Sequence, residues 1–541
     1  MPTYCTYTSE IIFSQHKPNF YSMKYLIYFF IFTCLIACDN EFIEDNTDIT
    51  PETEDRTEEE EVNPDYDNLE QWDRFELSFQ AEVLTDPFST PPLSGIFTHS
   101  DGEKMEINGF YDGDSTYRIR FMPTKSGVWT YELSSELDSI NGVSGGINAI
   151  SPSVENHGMV KVSNTYHFAY DDGSSYFPFG TTLYAWFYQG EEIENQTIES
   201  LQESSFNKVR MCVMPKFYDY CVNFPPEFPY EKNEAGDYDF DKINPAYFQD
   251  VENSIEELLE LGIEADVILF HPYDYWGFSR MGTDANKKYL QYVIARFGAY
   301  RNVWWSMANE YQLLEDFTEE DWDELGQYVA DNDPYEHLNS VHNAKRGFYD
   351  FSKSWVTHVS VQVEEVDEIM DWRDEYQKPV IADEVGYEGD IPFEWGDLSP
   401  NLLLDKFWIA TTKGGYVSHG ETYEDPNDVL WWAKGGKLKG ETPERITFLQ
   451  NIIEDYGYGL TGVSGDNYIA EGEGYILQYL GEDTPDTFTY DIPDDGTYQV
   501  DIIDTWNMEI ESAGEFSNSV SIDLPDTQYL AIRIQKKSAS S

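Results

Sequence analysis

Eight short apolar segments separated by helical stretches lie between residues 161 and 460, and this alternation constrains the fold more than any other feature of the chain. The segments are 177–186, 208–216, 264–272, 302–310, 338–344, 357–364, 379–384 and 415–421. Residues 253–261 and 285–297 repeat apolar side chains at helical spacing, and Thr318-Glu319-Glu320-Asp321 opens another helix with a start like a capping box. Parallel strands need long crossovers, usually helical. Eight strand–helix units in about 300 residues are what a closed (β/α)8 TIM barrel requires, so the expected class is α/β.

The flanks read differently. From 67 to 160, polar and apolar residues alternate, as in Trp72-Asp73-Arg74-Phe75-Glu76-Leu77-Ser78-Phe79. Gly102, Gly109, Gly113, Gly127 and Gly142 punctuate the segment at turn-like intervals. A small antiparallel β-sandwich is expected there. Residues 461–541 return to short strands at 474–479, 498–503 and 529–535, which predicts a second sandwich.

An apolar run from Tyr25 to Ala37 follows Met23-Lys24 and is too short to span a bilayer. It fits the apolar core of an export signal starting at Met23. It ends Leu35-Ile36-Ala37-Cys38, which resembles a bacterial lipobox, with Cys38 as the lipidated residue; an ordinary secretory signal is the alternative. Residues 39–66 carry 13 acids against one base, Arg56, and read as an acidic disordered tether. Acids directly after such a cysteine resemble the surface-export signal of Bacteroidetes lipoproteins. The expected organisation is therefore signal 1–38, tether 39–66, sandwich 67–160, barrel 161–460 and sandwich 461–541. The expected location is the outer membrane of a Gram-negative bacterium, facing the surface or the periplasm, with membrane contact only through the lipid.

The formal net charge of −69 repels nucleic acid, whose binding rests on Lys and Arg against phosphate, and no nucleic-acid partner is expected. It does not forbid an anionic substrate, because a local basic pocket can override the bulk field. Aromatic residues make up 16% of the chain; that suits stacking on sugar faces, although core packing accounts for most of them. Of the five cysteines, Cys212 and Cys221 lie outside the leader, and they could pair or remain buried thiols. No C-x-x-C pattern offers a thiolate zinc site, and His271, His342 and His419 show no i, i+4 spacing for a metal. No metal and no cofactor are expected.

A (β/α)8 barrel builds its active site at the C-terminal ends of its strands. The first strand ends near Trp186; the second carries Arg210 and ends at Lys216; the third ends at His271; the fourth ends Asn309-Glu310. The fifth carries His342, the sixth Gln362, and the seventh ends Asp383-Glu384; the eighth carries His419 and Glu421. Polar groups able to bind a sugar thus ring two strong carboxylate candidates, Glu310 and Glu384. Hydrolysis of a glycoside with retention needs two carboxyl groups about 5 Å apart, one protonated and one ionised. Asp383, Glu388 and Glu421 are rivals; strand alternation is expected to turn Asp383 away from Glu384. Trp186, Trp276, Trp431 and Trp432 could stack on sugar rings or pack in the core. Arg210 could orient Glu384 or brace the barrel.

Asn309-Glu310 closing the fourth strand, with Glu384 closing the seventh, resembles clan A of the glycoside hydrolases. That resemblance implies Glu310 as acid/base, Glu384 as nucleophile, and Asn309 holding a sugar hydroxyl. The wider arrangement resembles the apiosidase-like family, with an N-terminal sandwich of unknown function and a C-terminal sandwich assigned a collagen-binding role. Residues 70–135 resemble the first of these and 498–508, with Asp504-Thr505-Trp506, the last. Members of the clan often have an aromatic residue or His near the sixth strand, where this chain has Gln362. The resemblance implies a carbohydrate substrate in plant or algal polysaccharide, with apiose, galactose, arabinose or uronic acid among the targets, and exo action. A non-catalytic, glycan-binding surface lipoprotein is the alternative, and the intact carboxylate pair tells against it.

The lipobox reading is tested by fractionation. Cys38→Ser is expected to move the protein from the membrane to the soluble fraction, and a variant that stays with membranes as the parent does removes the anchor.

Overall fold

The computed structural model describes residues 66–537, apart from 346, 457–459, 466 and 494. Cys38 and the expected leader and tether lie outside the described residues. At the centre is an α/β barrel whose strands are β1 (Gly180–Thr182), β2 (Lys208–Cys212), β3 (Glu264–Phe270), β4 (Val303–Ala308), β5 (Asn339–Ser340), β6 (Val359–Gln362), β7 (Val380–Glu384) and β8 (Tyr416–His419). The strands pair in parallel, in chain order from β5 back to β1 and then through β8 and β7 to β6. A single bridge between His342 and Ser360 links the fifth strand to the sixth and completes the ring. The fifth strand is much shorter than the expected 338–344, and among the described residues no helix follows it before β6.

Helices α1 (Glu191–Gln202), α2 (Pro245–Glu260), α3 (Thr283–Phe297), α4 (Glu319–Asn332), α5 (Ile369–Tyr376) and α6 (Pro400–Thr412) pack outside the barrel, with α7 (Trp431–Lys434) and α8 (Thr442–Glu454) after β8. Local chemistry sets several starts. Asn244 caps α2 with Pro245 in its first turn, Ser399 caps α6 beside Pro400, and Thr318 with Asp321 forms the full capping box at α4.

The N-terminal sandwich has a five-stranded sheet, in the order Asn68–Glu70, Ser144–Ile150, Gly127–Ser135, Leu93–His99, Lys104–Asn108. It faces a three-stranded sheet of Phe75–Gln80, Thr116–Phe121 and Phe110–Tyr111. Phe97, Ile119, Phe121 and Trp129 fill its core. Ion pairs fix it to the barrel. Arg120 bonds both Glu76 and Glu252 of α2, while Arg296 of α3 bonds Asp112 and Glu252. The C-terminal sandwich sets a six-stranded sheet against the pair Thr487–Asp491 and Ser519–Asp523. Trp408 of α6 stacks on Tyr479, and Arg445 of α8 lies over Trp506, 3.7 Å from the ring centroid.

The antiparallel strands Val160–Ser163 and His167–Tyr170 cover the barrel floor, where Phe168 packs on Trp304 and Tyr416. This floor encloses Glu264, whose Oε2 accepts a hydrogen bond of 2.9 Å from Trp304 Nε1. Burial raises its pKa to about 8. A carboxyl group whose pKa is raised by folding holds its proton longer in the native state, so stability falls as pH rises from the unfolded value towards the folded one. Between about pH 5 and 8, Glu264→Gln is therefore expected to flatten the decline in stability seen in the parent. Urea unfolding across that range checks it, and parallel curves for the two proteins refute it.

Candidate active site

The barrel interior is charged. Lys208 and Arg210 alternate along β2 with apolar residues, and period two sends both inward. Lys208 Nζ lies 2.8 Å from Asp266 Oδ2 and 2.7 Å from Asp383 Oδ1. Arg210 continues the chain upward: Nε is 3.6 Å from Asp266, Nη1 3.3 Å from Glu384 Oε1, and Nη2 donates to Asn309 Oδ1 at 3.1 Å. Asp383 also accepts from Ser360 and Ser418. The cations beside it hold its carboxyl well below the usual carboxylate range, against the opposing effect of burial.

Alternation predicts that Asp383 and Glu384 face opposite sides of β7, and the structure corrects this. Val361 pairs with Ala382, but the next partner of Gln362 is Glu384, so Asp383 is an extra residue in the ladder. Such a bulge re-aims the side chains around it. Both carboxylates consequently point to the barrel axis, Asp383 into the ionic chain and Glu384 to the mouth.

At the mouth a pocket with about 560 Å³ of open space is lined by Glu310, Glu384, Asn309 and Gln362. Its aromatic wall comprises Tyr184, Tyr218, Tyr273, Tyr387, Trp395 and Trp432, with Lys216 among them. Every one of these residues follows or ends a strand at its C-terminal side. Glu384 is 6% exposed and accepts from three donors: the Tyr184 hydroxyl and Arg210 on Oε1, and Gln362 Nε2 on Oε2 at 2.9 Å. Glu310 is 8% exposed and accepts from the Tyr273 hydroxyl, with Asn309 Nδ2 3.4 Å from its Oε2. Its backbone is left-handed, at φ 48°. That conformation costs a non-glycine residue roughly 1–3 kcal/mol and persists where the surroundings impose it. Burial first, and then the charge of Glu384, raise the Glu310 pKa to about 7, while Tyr273, Lys216 and Arg210 oppose the rise.

Other expected site residues lie away from the pocket lining. His271 is buried with Nε2 3.0 Å from the Met214 carbonyl, and burial lowers its pKa to about 4. His342 is fully buried in the barrel with neither ring nitrogen hydrogen-bonded among the described residues, and its pKa is lowered to about 4. His419 stacks on Phe206 and contacts Thr181, which also accepts from the Trp431 indole. Trp186 is buried in the core. Arg210 stands behind the pocket and touches it only through Glu384 and Asn309. The rivals Glu388 and Glu421 instead bind the backbone N–H groups of residues 439–442 at the start of α8. Cys212 and Cys221 are both buried free thiols. Among the described residues no cluster of His, Cys, Asp or Glu could hold a metal ion.

Sequence reasoning missed Tyr184, Tyr218, Tyr273, Tyr387 and Trp395, because they sit two to eleven residues beyond strand ends. It also missed Lys208 and Asp266. The available signal was two adjacent strands, Lys208-Val209-Arg210 and Glu264-Ala265-Asp266, that carry charges at period two inside apolar runs.

A closed parallel barrel with carboxylates from its fourth and seventh strands in one aromatic pocket defines the class: a glycoside hydrolase of the clan-A type. Residues 162–457, more than half of the chain, match the Apiosidase-like catalytic domain, so the chain belongs to the apiosidase-like family. Residues 68–136 and 465–535 match two domains of unknown function, DUF5060 and DUF5605, and neither description carries the collagen-binding role expected for the C-terminal sandwich. A crystal structure of a candidate glycoside hydrolase from Bacteroides vulgatus ATCC 8482 is 39% identical, with a TM-score of 0.83 over 87% of this chain and 100% of that one. A glycoside hydrolase family 5 structure from the same organism shares the fold, at 17% identity and a TM-score of 0.54, over 70% of this chain and 93% of that one. No curated protein matches.

The Tyr273 hydrogen bond favours the ionised form of Glu310. Tyr273→Phe is therefore expected to raise the Glu310 pKa above about 7. Carbon NMR titration of the labelled carboxyl reads this directly; a pKa that stays or falls contradicts the wiring described.

Proposed function

We propose that the protein is a retaining, exo-acting glycosidase of plant or algal polysaccharide, with Glu310 as acid/base and Glu384 as nucleophile. The observation that carries this reading is that two buried carboxyl groups share one pocket with different partners. Glu310 keeps a proton to about pH 7 and has one hydroxyl donor, whereas Glu384 is fixed from three sides, one of them a guanidinium. Environments that differ in this way separate acid from nucleophile. In the first step Glu384 attacks the anomeric carbon and the Glu310 proton passes to the leaving oxygen. In the second, Glu310 takes a proton from water as its oxygen attacks the same carbon, and Glu384 is released. Asn309, oriented by Arg210 through Oδ1, presents its Nδ2 to the sugar.

Exo action rests on the family resemblance, and the pocket holds both carboxyl groups. Beside it, Phe217 and Tyr275 lie 4.8 Å apart, and Phe224 and Tyr275 are more than half exposed, a surface suited to the remainder of a glycan. Domain boundaries near 160 and 460, a tether at 39–66 and a Cys38 lipid anchor complete the proposal, with the enzyme at the cell surface or in the periplasm. A glycan-binding protein without activity is not favoured, because binding has no use for a matched acid and base.

Activity is expected to fall as pH rises through about 7, where the Glu310 proton is lost. Glu384→Ala should abolish turnover and regain part of it with azide, giving the glycosyl azide of inverted configuration. Glu310→Ala should lose about 10²–10⁴-fold on poor leaving groups and much less on good ones. A fluorinated sugar should label Glu384; label on another acid, or an inverted product from the parent, overturns the assignment.

A further inference from the structure

Lys216 stands apart from the other cations of the barrel. Lys208 and Arg210 each face carboxylates. The Lys216 side chain is 1% exposed and lines the pocket with Glu310 and Glu384. Among the described residues its Nζ has no carboxylate within ion-pair distance and no hydrogen-bond acceptor. Its surroundings are π faces: Nζ is 3.5 Å from the ring centroid of Tyr184, 4.5 Å from Tyr273, 4.7 Å from Trp432 and 5.7 Å from Tyr218. The backbone of Lys216 is anchored separately, its N–H donating to the Tyr188 hydroxyl at 3.1 Å.

An ammonium group has three donors, and aromatic faces attract its charge without supplying a lone pair at hydrogen-bond distance. The four rings and Lys216 line one and the same pocket. Glu310 feels the Lys216 charge but makes no direct ion pair with it among the described residues, so a ligand that brings an anion within hydrogen-bond distance of the ammonium adds an interaction the free site lacks. The need for a local cation is sharper here than in most proteins, because a net charge of −69 repels anions from the whole surface.

We infer that the Lys216 ammonium, projecting from its aromatic cage into the pocket, binds an anionic substituent of the substrate, a carboxylate or sulfate ester on the sugar that meets Glu310 and Glu384. This inference names the substrate class of the proposed glycosidase and rests on that reading. Lys216 is then a specificity-determining residue. It forms a charge-assisted hydrogen bond in a site shielded from water, the setting in which such bonds discriminate most.

The test is binding rather than turnover, so it stands or falls separately from the assignment of the acid and nucleophile. The parent, Lys216→Met and Lys216→Arg are titrated calorimetrically with galacturonate, glucuronate and galactose 6-sulfate, and with galactose and glucose as their neutral counterparts. The parent is expected to bind at least one anionic sugar about 10- to 100-fold more tightly than its neutral counterpart. The carboxylate and sulfate arms tell which substituent the site takes. Lys216→Met should lose that preference, read as the ratio of anionic to neutral affinity, and Lys216→Arg should retain part of it. A circular dichroism spectrum and urea midpoint matching those of the parent show that the variant is folded. No anionic preference in the parent, a preference that survives in Lys216→Met, or an equal loss on neutral and anionic sugars overturns the inference; the last would make Lys216 a packing residue or an electrostatic partner of Glu310 alone.

Discussion

The site depends on the ion chain inside the barrel. Lys208, Asp266, Asp383 and Arg210 lie where solvent does not reach, and each would be prohibitively costly alone. Together they neutralise one another, and the upper end of the chain is a guanidinium with one branch on Glu384 and another on Asn309. A planar fork of five donors suits this position, because it fixes two acceptors in a defined relative orientation where a lysine would act as a point charge. The geometry of the mouth is thereby tied to the middle of the barrel rather than to loops.

The bulge at Asp383 makes this possible. A regular strand would give the chain either Asp383 or Glu384 on the axis, but not both. One inserted residue supplies an acid to the ion chain and another to the pocket from consecutive positions. The left-handed Glu310 at the end of β4 has a similar effect, lifting the side chain into the pocket where the strand ends. Two departures from regular strand geometry thus place the two carboxyl groups, and the rest of the barrel remains conventional around them.

The aromatic wall gives the pocket its low-dielectric character. Tyr184 and Tyr273 donate to different carboxyl groups, so the two acids are wired to separate hydroxyls even though they share a cavity. The same two rings face Lys216. One pair of tyrosines therefore connects the three charged groups of the mouth.

The sequence by itself determined the barrel, the flanking sandwiches, and Asn309-Glu310 and Glu384 as the residues that close the fourth and seventh strands. Periodicity and turn chemistry are local, and a parallel barrel places its strand ends at one mouth whatever the loops do. Gln362, which ends β6 and lines the pocket, was legible for the same reason. The histidines were not: His271, His342 and His419 lie on or beside strands, yet packing buries them outside the pocket lining, and nothing local distinguishes a core histidine from one at the mouth. The inward turn of Asp383 was hidden because a bulge is a property of two paired strands, not of one. Tertiary structure also decided that Tyr184, Lys216, Tyr273 and Trp432, brought from four different strand ends, would form a single cage. Loop residues meet through the closure of the barrel, and sequence separation carries no record of that proximity.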